Sequence, residues 1–143
     1  MFLNGITIIL SGDQESFEGA AIAWATKIER NHVLVSLPID ATITEFVKLN
    51  KTFTVNVLGE HQAEIVRQYG GSKQSRPLPR NPDDLDFDAW AVPTVKDCRA
   101  NLHCAVDQEM TVEEQFVVIA KIEQSRFDET IMPLVYEHAA YFD

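Results

Sequence analysis

Apolar and polar positions alternate with a period of two along much of the chain, most clearly over Phe53–Leu58. A strand there places Phe53, Val55 and Val57 on one face and Thr54, Asn56 and Leu58 on the other. Asn56 then stands among apolar neighbours, and its amide needs partners from backbone, a neighbouring loop, water or a ligand. Clusters of β-branched and aromatic residues between turn formers predict further strands at Ile6–Leu10, Ala20–Thr26, Val33–Leu37, Leu102–Val106, Phe116–Ile122 and Leu134–Phe142. The period becomes helical over Thr44–Leu49 and over Glu60–Tyr69. In the second helix Ala63, Ile65, Val66 and Tyr69 share a face, and Gly70-Gly71 end it. Many short strands with few helices predict a mainly β domain closed as a barrel, because closure removes exposed strand edges.

Between the second helix and the later strands, Ser72–Ala91 carries Pro77, Pro79 and Pro82 and then Asp83, Asp84, Asp86 and Asp88. It reads as a long surface loop, either a lid or interface arm or a solvated excursion. Leu85, Phe87 and Trp90 favour docking, since large apolar groups gain by leaving water. Asp107–Glu114 reads as an acidic turn. At the start of the first helix, Thr42-Ile43-Thr44-Glu45 fits a capping box, and the same helix end, with free N–H groups and two threonine hydroxyls, suits an anion.

Length and charge narrow the function. With 143 residues the chain is expected to form a single domain over 1–143, and a formal charge of −10 opposes nucleic acid and anionic lipid as partners. Met1 lies almost inside the first predicted strand with no basic, apolar leader, and no apolar run approaches the roughly 20 residues of a membrane span, so a cytoplasmic protein without membrane contact is expected. Cys98 and Cys104 are expected to be reduced thiols, and neither they nor the four histidines show a metal-ligand spacing. His103 and Cys104, as strand neighbours, point to opposite faces, and no metal is expected. Nucleotide-binding glycine loops and hydrolase motifs are absent from the sequence.

Several segments taken in order, Phe2–Ser11, Gly19–Thr26, Lys51–Gly71, Pro93–Val106 and Pro133–Tyr136, resemble the flavin reductase-like family of FMN-binding split barrels, whose superfamily also holds pyridoxamine-phosphate oxidase-type proteins. The resemblance implies a mainly β fold, a split β-barrel with two or three short helices, and a homodimer with sites at or near the subunit interface. It implies FMN, or else FAD or riboflavin, as cofactor and NAD(P)H as electron donor. By the same resemblance Pro38, Ile39, Thr42 and Thr44 surround the cofactor phosphate, while Ala21, Ile22, Ala23, Trp24, Asn56, Val57 and Leu58 line the flavin ring.

This chain departs from the family pattern at four places. Ile39–Thr44 contains Asp40 and neither Lys nor Arg, and the hydroxyls usual in the second strand are replaced by Ala21 and Ala23. Gln115 stands where many reductases of this kind have histidine, and His138 and Ala140 replace basic residues near the end. Two neutral hydrogen bonds and one charge-assisted phosphate contact fewer amount to roughly 2.5–6 kcal/mol if additive. Two functional readings follow: a flavin-binding oxidoreductase with weakened flavin affinity, or a non-catalytic split-barrel dimer that acts as a ligand-binding or interaction protein. No residue stands out as a ligand for haem.

Overall fold

The computed structural model describes residues 6–70 and 78–135. Nine strands and two helices are present among them: β1 Thr7–Gly12, β2 Phe17–Ile22, β3 Ala25–Glu29, β4 His32–Pro38, α1 Thr42–Asn50, β5 Thr52–Val57, α2 Ala63–Tyr69, β6 Leu85–Asp86, β7 Thr94–Val95, β8 Ala100–Val112 and β9 Gln115–Phe127. Seven of the strands form one antiparallel sheet in the order β2-β1-β5-β8-β9-β4-β3, and β6 with β7 forms a small ribbon.

The order of that sheet explains its shape. β2 and β3 occupy its two ends, yet only Ala23 and Trp24 separate them in the chain. Seven flat strands would hold the ends roughly 29 Å apart, far beyond the reach of three peptide links at about 3.5 Å each. The sheet therefore curls until its ends meet, and one bent segment pairs with β1 through its first half and with β4 through its second. This fits a split barrel. The single strand expected at Ala20–Thr26 is thus two strands, because Ile22 and Ala25 both face the inner core. Residues three apart in a straight strand point to opposite faces, so burying both requires the bend.

Two apolar layers hold the fold. The inner one contains Ile9, Val35, Leu37, Phe53, Val55, Cys104 and Val118 inside the curled sheet, with Ile43 and Val47 of α1 packed among them. On the outer side, Ile65, Val66 and Tyr69 of α2 cover Ile8 and Leu10 of β1 together with Leu58, Leu85 and Val95. β1 is consequently buried on both faces and reads as a nearly continuous apolar run. Gly19 permits the close approach of α2: a Cβ there would stand 2.6 Å from Leu10 Cδ2 and 2.8 Å from the Tyr69 ring.

Other boundaries moved. α1 begins at Thr42, two residues before the sequence expectation, and the expected acidic turn Asp107–Glu114 is mostly strand. Its residues extend β8 along β9 as far as Val112 opposite Gln115, and the reversal is confined to Glu113-Glu114, with Glu113 at φ 52°. Backbone pairing holds this extension although its side chains are exposed, and sequence periodicity registers burial rather than pairing. Of the expected strand Leu134–Phe142, Leu134 is in place, donating its N–H to Leu58 O at 2.9 Å and accepting from Ile6 N–H at 2.9 Å. The remainder from 136, with His138 and Ala140, lies outside the described residues.

The loop Ser72–Ala91, described from 78 onward, packs against its own chain. Leu85 is buried, Phe87 meets Phe17 edge-on at 5.5 Å, and Trp90 stacks on His103 at 5.9 Å with Arg126 4.8 Å from its ring. Phe87 and Trp90 are half-buried by these contacts within one chain.

The two cysteines belong to different layers, Cys104 to the inner and Cys98 to the outer. Burial pushes both thiols up to about 12. Neither is expected to react with a disulfide reagent at pH 8 while the protein is folded, and both are expected to react in denaturant. Rapid labelling of the native protein would contradict this burial.

Candidate functional site

At the bend between β2 and β3, Ser36 donates its N–H to Trp24 O at 3.0 Å, tying Ala23-Trp24 to the end of β4. There Pro38 lies opposite Gln115, Ile39 N–H donates to Glu114 O at 2.9 Å, and Ser36 Oγ donates to Gln115 Oε1 at 2.8 Å. The chain then turns into α1. These contacts gather Ala23, Trp24, Pro38, Ile39, Gln115 and the start of α1 at one end of the curled sheet.

The helix start differs from a capping box. Ala41 is the N-cap, in extended conformation and without a side-chain cap, so Thr42 is already inside the helix. Thr44 Oγ1 instead donates to Pro38 O at 2.6 Å, while Thr44 and Glu45 N–H groups turn back to Ala41 O. Thr44 is fully buried and its hydroxyl proton is committed. Among the described residues no acceptor meets the N–H groups of Thr42 and Ile43. Those two donors, the positive end of the helix and the exposed Thr42 hydroxyl are what this turn offers an anion. Asp40 and Glu45, both exposed beside it, oppose one.

Asn56 is placed otherwise. It is fully buried, and every hydrogen-bonding position of its amide is used within the chain. Nδ2 donates to Ile8 O at 2.9 Å and to Thr54 Oγ1 at 3.0 Å, and Oδ1 accepts from Val95 N–H at 3.0 Å and from Asn101 Nδ2 at 2.7 Å. Asn101 Nδ2 also reaches Val95 O at 3.0 Å, and Thr54 Oγ1 donates to Pro93 O at 2.7 Å. The network pins the segment Pro93–Val95 onto the outside of the sheet. Asn56 thus supplies structure here, and Asn101, its principal partner, carried no signal in the sequence beyond sitting in a strand.

The other expected ring-lining residues disperse. Ala21 packs with the outer layer, where a Cβ on Gly70 would lie 3.0 Å from its own Cβ. Ile22 belongs to the inner core and Leu58 to the outer, while Val57 lines a cleft on the inner side of the sheet. Of the eleven positions, Ala23, Trp24, Pro38, Ile39, Thr42 and Thr44 are the ones brought together around the α1 start.

Around this site the outer face of the sheet carries exposed apolar side chains, interspersed with Ser36 and Gln115, that the described residues leave uncovered. Trp24 is 63% exposed, Met110 49% and Val112 51%. Register joins them: Ser36 lies opposite Val117, Val117 opposite Met110, and Leu34 opposite Ile119. Among the described residues no cluster of three metal-ligating side chains occurs, and no helix is long and apolar enough to cross a membrane.

The family model of the flavin reductase like domain matches residues 1–143. The chain belongs to that family. A comparison with curated proteins finds no match. Among solved structures, a flavin reductase in its native state is similar, with a TM-score of 0.81 at 22% identity, covering 94% of this chain and 86% of the other. The styrene monooxygenase flavin reductase of Pseudomonas putida gives 0.77 at 23% identity, with coverage of 94% and 86%. The NADH:FAD oxidoreductase of Streptomyces globisporus gives 0.80 at 18% identity, with coverage of 95% and 82%. At these identities the likeness establishes the shared fold.

Proposed function

We propose that this flavin reductase-like chain binds FMN on the surface beside α1 and acts as a flavin-dependent oxidoreductase that takes electrons from NAD(P)H. The observation that supports the reading best is the meeting of Ala23-Trp24, Pro38-Ile39 and the N–H groups of Thr42 and Ile43, which no described residue accepts, at one end of the sheet. The N–H groups and the Thr42 hydroxyl hold the phosphate, and the Trp24 indole with the Ile39 side chain gives the ring an apolar support. Bound flavin supplies the hydride chemistry. The protein's part is to orient the ring and exclude water from it. Titration of the purified protein with FMN, followed by quenching of flavin fluorescence, tests the reading, and absence of binding at high FMN concentration would overturn it.

The second reading, a non-catalytic dimer that binds another ligand or a partner, draws on a specific observation. Thr44, one of the two hydroxyls available to a phosphate, is spent on Pro38 O, and Asp40 and Glu45 flank the anion position without a cation on Ile39–Thr44. The same facts support an affinity, in the first reading, below that of a flavoprotein with a basic residue in this turn.

Homodimerisation is part of the proposal, and its surface is the outer face that bears Trp24, Met110, Val112 and Val117 rather than the long loop. A face with several exposed apolar side chains next to a cofactor site suits a partner copy that closes the site. Light scattering is expected to give twice the chain mass, and Met110→Glu combined with Val117→Glu is expected to give the monomer. A wild-type monomer at the highest concentration would remove the interface.

A further inference from the structure

A cavity lies on the inner side of the sheet, beside the terminal strand β3. It is a cleft of about 460 Å3, a size suited to small organic ligands. Its floor is apolar and comes from Val33, Val55, Val57, Leu102 and Ile122, with Phe127 at the rim. Because β3 ends the strand order and, among the described residues, pairs only with β4, alternate backbone N–H and C=O groups along Ala25–Lys27, which lines this cleft, point away from β4. Lys27 and Arg30 line it against one carboxylate, Glu123. Among the described residues neither cation has an ion-pair partner. In a chain of net charge −10, this is a local reversal of sign above an apolar floor.

We infer that this cleft is a binding site for a small amphipathic organic anion, with a flat apolar body against Val55, Val57 and Leu102 and its acidic group between Lys27 and Arg30. Charge complementarity selects the anion, and the edge of β3, unpaired among the described residues, adds hydrogen bonds to polar groups on the body. The site is separate from the α1 start, because Val35, Leu37, Ile43 and Val47, all fully or almost fully buried, fill the barrel interior beside that helix. The proposal stands independently of flavin binding. Only Val57 belongs to both the cleft and the positions expected to line the flavin ring.

Anilinonaphthalene sulfonate, a flat apolar anion, and phenylnaphthylamine, its uncharged counterpart, are suitable fluorescent probes. Lys27→Glu with Arg30→Glu is expected to weaken the sulfonate by roughly tenfold or more and the neutral probe much less, since a charge-assisted contact is lost only by the anion. Lys48→Glu with Lys96→Glu, which changes the net charge equally outside the cleft, is expected to have little effect. Filling the cleft by Val57→Trp, or by Ser125→Trp at an exposed position opposite Leu102 should the first variant not fold, is expected to exclude both probes. Saturating FMN is expected to leave the sulfonate bound. Sulfonate binding that survives both cleft variants, or falls equally in the remote reversal, or is displaced by FMN, would overturn the assignment.

Discussion

Replacing Asp40 by Arg together with Ala23 by Ser is expected to tighten FMN binding by roughly thirtyfold to a thousandfold or more, with a much smaller gain for riboflavin. Asp40 is exposed in the turn before α1, so its side chain can change without repacking, whereas Ala41 is partly buried against the inner core. Reversing that charge removes a repulsion and adds a charge-assisted phosphate contact of about 1.5–3 kcal/mol, to which a serine hydroxyl at the bend adds about 0.5–1.5 kcal/mol. Each 1.4 kcal/mol corresponds to about tenfold in affinity. Riboflavin lacks the phosphate and should respond only to the hydroxyl. Parallel fluorescence titrations check this. Equal gains for both flavins would refute the phosphate position, and no gain for either in a folded variant would remove the α1 start from consideration.

Asn56→Ala is expected to be the most damaging single polar change in the described structure. It strands Val95 N–H and one N–H of Asn101 Nδ2 in buried surroundings, and removes the side-chain hydrogen bond that Ile8 O accepts. An unsatisfied buried group costs about 1–3 kcal/mol, so the loss should reach roughly 3–5 kcal/mol, on the order of 10 °C in melting temperature for a chain of this size. Denaturant unfolding measures it directly. If the variant lost less than about 1 kcal/mol, the network would not be what secures Pro93–Val95. The expected outcome also separates structure from function, because FMN affinity at a temperature where the variant is folded should be nearly unchanged.

The strands and helices were legible wherever one face is apolar. Phe53–Val57 and Glu60–Tyr69 declare themselves by period, and the expected docking of Leu85, Phe87 and Trp90 follows from their apolar area alone. Three features escaped because pattern is blind to them. The break at Ala23-Trp24 depends on which strands the chain must join, the extension of β8 over Asp107–Val112 is held by backbone rather than side chains, and the cap at Ala41 has no side-chain signature. The site was legible in part. A resemblance in sequence transfers positions, but whether Thr44 Oγ1 faces a ligand or Pro38 O is decided by distances that no spacing encodes.

The bent β2–β3 segment also bears on how the chain reaches its fold. Three of the ladders, β1 with β2, β3 with β4 and β8 with β9, join segments adjacent in sequence, and such hairpins form within about 1–10 μs. The ladder between β4 and β9 instead spans α1, β5, α2 and the long loop, and without it the ring stays open. Closure therefore pays a large loop entropy before its contacts return anything, which sets folding in the range of milliseconds to seconds. Substitutions on β4 facing β9 should slow refolding in stopped-flow experiments more if this ladder forms in the transition state, whereas substitutions within the β8–β9 hairpin alone should chiefly alter the unfolding limb if that hairpin closes late.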